Sequence, residues 1–560
     1  MNTQSGGTGG TSILLDGTIR CLAAFDNVFA CCVGAQIAVF EVLPKFHRKF
    51  SIGLPSHREI SRLAADGEHL FALDADGTLW YFLHATGTEW QRFRTGNIHD
   101  ISLAGRHLYC LQSGKLLAYN LENQLVTNSL PLPKSSRKLK VSPPFLIAFA
   151  PSLLWIAVLN SDNIRLIYQN ESDFPYPIAA TAFGDEIMIA DHVAGLIHFR
   201  LHGTTLTPSR VDASFLHPYA VALDENGWMA AGESGFRHSA SEMPNIRSGS
   251  VIDLQPTRHG ILAVQSRRVT LLRGSRSLEC VEFPGFSYRA QRWGSLLACT
   301  TEGGLHLFTA RNDSTIALEY VLELPEISFD ITLMDRYLLA VTPRALYAVD
   351  VGDSRRAKIA SQLEGVGEPV SVVVDAKRRA IFWGCGRSIR TVEINEAGGL
   401  AMTGEVRLGV YPHALALGGA QLYVAAGPGG LLCCNSDHIL CLEAIKGVDY
   451  AVDVCANDNQ AAIASVKALF SLPHGDSAHV IRIIEGHDIS SCVLGNRLIY
   501  AEGQTLRSID FSMSGTNGYS LTTLPYVPRR LALLGSEAIV VGEGGTMIVH
   551  LTPKGSDDTN

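Results

Sequence analysis

The segment Asp76-Gly77-Thr78-Leu79-Trp80-Tyr81-Phe82 opens on a turn and continues as a strand whose apolar residues alternate. Ser113-Gly114-Lys115-Leu116-Leu117-Ala118-Tyr119 and Gly303-Gly304-Leu305-His306-Leu307-Phe308 repeat it. Alternation after a glycine-bearing turn is the pattern of a half-buried β-strand. Taking the first apolar residue of each such strand as a marker gives fourteen positions: Ile37, Leu79, Leu116, Ile164, Leu196, Phe236, Val269, Leu305, Leu346, Ile389, Leu431, Leu469, Leu506 and Met547. They span 510 residues in thirteen intervals, a mean of about 39. Four-stranded propeller blades repeat at roughly 40 to 45 residues.

Ahead of each marker strand lies a second apolar strand, as in Gln421-Leu422-Tyr423-Val424-Ala425-Ala426, and ahead of that a third, as in Ala414-Leu415-Ala416-Leu417. A more polar segment follows the marker. Three packed strands and one solvated outer strand make a blade. Proline recurs at the entrance to the first strand, at Pro55, Pro177, Pro218, Pro284, Pro325, Pro369, Pro412 and Pro528. Proline fixes φ and donates no hydrogen bond, so it suits a strand entrance and not a strand centre. Glycine or proline interrupts nearly every window long enough for a helix.

A chain of 560 residues exceeds one ordinary core. Propellers have four to eight blades, so the predicted fold is all-β, two tandem seven-bladed β-propellers. The expected division is a disordered lead 1–11, a first propeller 12–286, a second 287–552 and a disordered tail 553–560. A ring closes when a strand from one terminus covers the exposed edge of the last blade. Ile13-Leu14-Leu15 supplies such a strand, for the first ring or for the second.

With this repeat, the chain resembles the WD-repeat-like β-propeller superfamily over almost its whole length. Gly486-His487 matches one of that family's dipeptides, and Val349-Asp350 and Ile509-Asp510 keep an acidic residue after an apolar one at a strand end. Glu186-Ile187-Met188-Ile189-Ala190-Asp191 is also similar to strands of lactonase-like propellers. The resemblance implies a fold and no activity.

Composition narrows the partners. The net charge is −8, with 46% apolar and 18% charged residues, which gives no electrostatic footprint for nucleic acid. Lys134-Ser135-Ser136-Arg137-Lys138-Leu139-Lys140, the arginines at 267, 268, 273 and 276, and Lys377-Arg378-Arg379 read as solvated loops and outer strands. The longest apolar run, Phe145 to Ala157, is broken by Pro151-Ser152 and is shorter than the roughly 20 residues of a membrane helix. No membrane insertion is expected. Residues 1–11 have neither the basic nor the apolar region of a secretory signal. Twelve cysteines without a regular framework read as buried thiols. These features predict an intracellular protein, cytoplasmic or nuclear.

Chemistry is sparse. Cys433-Cys434 with His438 and Cys441 lacks paired zinc spacing, and neighbours on a strand point to opposite faces, so no metal and no cofactor is expected. The entrances to the first strands gather at one end of a propeller. Residues there include Arg58, His99, Tyr219, Tyr288, His413, Tyr450 and Arg529. They contain no carboxylate pair, histidine cluster or nucleophile with its base, whereas Tyr, Arg and His serve well as interface anchors. The predicted function is therefore a non-enzymatic protein-interaction scaffold or adaptor of an intracellular multiprotein complex, using the propeller faces and the inter-propeller groove. The alternatives are an RNA-binding or RNA-modification accessory subunit and a propeller enzyme of lactonase or lyase type.

Overall fold

The computed structural model describes residues 11–551 except 26, 43–44, 55–58, 67, 84–88, 95, 161–162, 171–173, 204, 216, 234, 240–249, 274–275, 313–314, 366–368, 437–441, 475–479, 487, 496, 510–518 and 535–536. Every helix or strand assigned among these is a strand. The strands form thirteen four-stranded antiparallel sheets and one of three strands, the latter at Pro218–Asp224, Gly227–Gly232 and Gly235–His238. These are the fourteen blades of two seven-bladed propellers.

The chain divides at Thr18–Phe283, the N-terminal propeller, and Met1–Gly17 with Pro284–Asn560, the C-terminal propeller. This differs from the expected boundary at 286 with 12–17 in the first ring. The strand Thr11–Asp16 pairs antiparallel with Gly545–His550 and becomes the outer strand of the last blade. Of the lead and tail expected at 1–11 and 553–560, only Thr11 lies among the described residues.

The two rings close differently. In the C-terminal propeller, Leu15 packs with Phe308 and Cys299 of the first blade and Ile539 and Ile548 of the last, so the borrowed strand joins both ends of the ring. Thr546 Oγ1 also donates to Ser287 Oγ at 3.0 Å. The closure needs backbones in close approach. A Cβ on Gly17 would stand 2.2 Å from the Glu543 carbonyl oxygen, and one on Gly545, at φ +91°, 2.2 Å from that of Leu15. Among the described residues, the N-terminal propeller has no borrowed strand. Ile19, Phe29, Val33 and Phe40 of its first blade pack against Leu262, Val264 and Leu271 of its last, and the Ile19 amide donates to the Ser266 carbonyl at 2.6 Å.

Between blades, apolar residues from one face of each sheet fill the gap. Outer strands show the solvated alternation, as in His47–Gly53, where exposed and half-buried residues alternate from His47 to Ile52. Thirteen of the fourteen sequence markers fall on third strands, and Ile164 falls on the outer strand Asn163–Asn170. The reason is that Phe145–Ala150 and Leu153–Asn160 form a hairpin through Pro151-Ser152, so the longest apolar run supplies two inner strands of one blade. Ser152 turns the chain at φ +60°.

Candidate functional site

The first, innermost strand of a blade begins with a β-bulge in all fourteen blades. In nine, the pairing slips by one residue just after the entrance: between Ile98 and Asp100, Pro218 and Ala220, Ser287 and Arg289, for example. In the other five, Arg137, Phe329, His413, Val452 and Arg529 each donate their amide to the carbonyl of the residue that pairs with their successor. One residue per blade is thus left over from the ladder. A bulge re-aims the side chain it frees, and here it frees one at the entrance end of every blade.

The residues immediately after the bulge lock neighbouring blades together. Asp330 accepts from the Ile331 and Val372 amides and from Ser371 Oγ at 3.0, 3.0 and 2.8 Å, and lies 3.1 Å from Arg289 Nε. Asp453 repeats this with the Val454 and Cys492 amides and Ser491 Oγ, at 3.0, 3.2 and 2.7 Å. Its charge partner is Arg530, whose Nη1 lies 2.7 Å away and whose Nη2 donates to the His413 carbonyl at 3.1 Å. In the N-terminal propeller, Asp100 accepts from the Ile101 and Leu139 amides and from Arg62 Nε, at 3.0, 2.8 and 2.9 Å.

In the C-terminal propeller these entrances surround a recess of about 410 Å³, lined by Phe329, Asp330, Pro343, Val370, His413, Val452, Arg529 and Arg530. Three of the residues expected from sequence meet here. Arg529 is exposed and lays its guanidinium over Tyr288 and Phe286, 5.1 and 5.8 Å from the ring centroids. Tyr288 in turn meets Phe329 edge-on at 5.3 Å. Partial desolvation at the mouth and the neighbouring Arg530 lower the pKa of Arg529 and likewise that of the His413 imidazole. Arg529 has no carboxylate partner among the described residues.

The other expected residues lie elsewhere. His99 and Tyr219 are bulged residues of the N-terminal propeller, His99 exposed and Tyr219 bonded to Glu233. Arg58 falls outside the described residues. Tyr450 stands two places ahead of its blade's bulge, because Ala451 is held by paired backbone bonds to Gly427, and Val452 takes the place at the mouth. Sequence reading missed Arg530, Asp330, Asp453 and the two serines. Their pattern appears only once the repeats are aligned at the bulge, which stacks Asp100, Asp253, Asp330 and Asp453 in one column.

A recess of similar size, about 430 Å³, lies at the opposite end of the N-terminal propeller. Its Asp66 and Glu122 are already paired with His69 and Arg106, and it holds no entrance residue. The basic segments also resolve. Arg378 pairs with Asp375 and Arg379 with Asp335, as expected of solvated turns. Lys138 and Lys140 do not fit that reading. They lie half-buried on the innermost strand Lys138–Ser142, where their Nζ atoms donate to the Ile178 carbonyl and to Gln255 Oε1, each at 3.1 Å, and burial lowers both pKa values.

Cys433 and Cys434 pack into two different cores, on opposite faces of their strand. Burial pushes their thiols up to about 12 and about 11. His438 and Cys441 lie outside the described residues. Among the described residues no group of three or more His, Cys, Asp or Glu is placed to hold a metal ion.

Fold and entrance geometry together define a double β-propeller whose strand-entrance ends carry one freed side chain per blade. No family model matches the chain, and no curated protein matches it in sequence. The fold itself is widely shared, with 1456 matching chains among solved structures, so it assigns no chemistry on its own. One of them is PorZ of Porphyromonas gingivalis, an essential bacterial surface component of the type-IX secretion system. The match has a TM-score of 0.62 at 11% identity and covers 98% of this chain and 88% of that one. It corrects the expected cytoplasmic or nuclear location, since this fold is found in a protein of the bacterial surface. The cysteine argument for that location also fails. Nine of the eleven described cysteines are buried, and a thiol packed in a core stays reduced in either compartment.

Proposed function

We propose that the protein is a docking component of a multiprotein assembly and engages a protein partner through the entrance mouth of its C-terminal propeller. One observation carries the reading: an exposed arginine stacked on an aromatic strip beside a 410 Å³ recess, where both nearby carboxylates are already engaged by arginine, serine and backbone amides. Carboxylates held by three or four donors are poor bases and nucleophiles, whereas Arg and Tyr set in a rigid frame make strong interface anchors. PorZ, itself a component of a secretion system, supports a role among protein partners.

Site-specific photo-crosslinking in the source cells tests this. A benzophenone amino acid at Tyr288 is expected to capture a discrete protein adduct, and the same group at Met402, exposed on an outer strand, is not. Equal labelling at both positions, or none at either, would falsify the reading.

A further inference from the structure

We propose that the recess at the C-terminal mouth binds a carboxylate borne next to an apolar group on a partner peptide, with Arg529 as the residue that takes the charge. This inference rests on the docking reading above. The recess has two kinds of wall. Phe329, Pro343, Val370 and Val452 are apolar, and the guanidinia of Arg529 and Arg530 stand beside them.

The two arginines differ in what they have left to give. Arg530 is committed to Asp453 and to the His413 carbonyl. Asp330, the acid of the recess, is committed to Arg289, Ser371 and two backbone amides. What remains is the single positive charge of Arg529, held flat over Tyr288 and Phe286. A guanidinium fixed by its face presents its N–H edge outward, and that edge matches a carboxylate bidentately. One free guanidinium suits a monoanion. A phosphate dianion asks for more donors than this mouth has uncommitted. At about 410 Å³ the recess is at the small end of ligand pockets, so it accepts one or two residues of a peptide and not a folded surface.

Two sources share this chemistry, a peptide C-terminus with an apolar last residue and an internal Glu or Asp flanked by apolar residues. Isothermal titration of the full chain separates them with three probes: acetyl-Ala-Ala-Leu-Leu with a free carboxylate, the same peptide amidated, and acetyl-Leu-Glu-Leu amide. Binding by the first alone assigns the terminus, and binding by the third assigns the side chain. In either case Arg529→Gln, which keeps a planar polar group and removes the charge, is expected to weaken binding about 30-fold. Its thermal midpoint should equal that of the parent, because the side chain is exposed. The proposal is overturned if neither carboxylate peptide binds, if the amidated peptide binds as well as its acid, if Arg529→Gln leaves affinity unchanged, or if inorganic phosphate displaces the peptide at equal concentration. A crosslink at Tyr288 that persists alongside such a failure would retain the docking role and discard the carboxylate. Loss of both would discard the docking role as well.

Discussion

A chain lacking residues 1–16 is expected to lose the C-terminal propeller's ring closure while its N-terminal propeller folds as before. The deleted strand contributes the buried Leu15, which touches the first and last blades at once, and a hydrogen-bonded ladder to Gly545–His550. Loss of one buried leucine costs about 3 kcal/mol. Its removal also leaves the edge of that last strand unpaired. For a unit of this size a loss of about 3 kcal/mol lowers the melting temperature by roughly 6 to 12 °C. Hydrogen exchange by mass spectrometry checks the result by region. Peptides from 530–550 and 287–322 should exchange faster, and those from 19–53 should not change. Uniform loss of protection in both propellers, or none in either, would refute the assignment of this strand. Gly17→Val should act in the same direction, since its side chain has no room beside Glu543.

Asp100→Ala should destabilise the N-terminal propeller by about 3 kcal/mol, the cost of leaving the Ile101 and Leu139 amides without their buried acceptor. The Asp100 side chain is 4% exposed and its Arg62 partner 39%, and the Leu139 amide that it accepts belongs to the next blade. Its loss therefore orphans that amide and unfastens two blades together. Chemical denaturation of the variant, followed by exchange in 98–104 and 138–142, reads both effects.

The pH dependence of this group has a definite sign. Burial, more than any other cause, raises the Asp100 carboxyl above its ordinary 3.8, against the pull of Arg62 and the two amides. The folded state thus holds this proton to higher pH than the unfolded chain does. The stabilisation linked to that proton is full below 3.8 and is lost as pH rises through the folded value. Asp100→Asn should remove this decline from the stability profile. A variant with the slope of the parent would show that another group carries it.

The blade repeat was legible because it is local. Glycine turns, alternating strands and entrance prolines recur within about 40 residues, and Leu79, Leu305 and Leu346 fall on the strands they were expected to mark. Ile164 was misplaced because its blade joins two inner strands through Pro151-Ser152 and not through glycine. The destination of Ile13-Leu14-Leu15 was open because both rings offer a similar edge to an apolar strand, and only pairing more than 500 residues away decides between them. At the mouth, Tyr288, His413 and Arg529 were found because they follow an entrance. Tyr450 is expected at the mouth and Val452 stands there, because the bulge that fixes the register is a matter of hydrogen bonding between strands, which no residue type announces. Lys140 read as a solvated charge because short-range alternation does not show that its strand is the one nearest the axis.

The bulge at every blade entrance separates two duties that most strand residues must perform together. A ladder residue is constrained by its neighbours on both sides, so changing its chemistry disturbs packing. The freed residue carries little of that burden. Across the C-terminal ring it is already tyrosine, phenylalanine, valine, histidine, valine, serine and arginine in turn, a spread of chemistries on one unchanging frame. Selection or a designer can thus rewrite what this mouth recognises one blade at a time, much as type is reset in a fixed forme, with the frame's stability left to the residue next door.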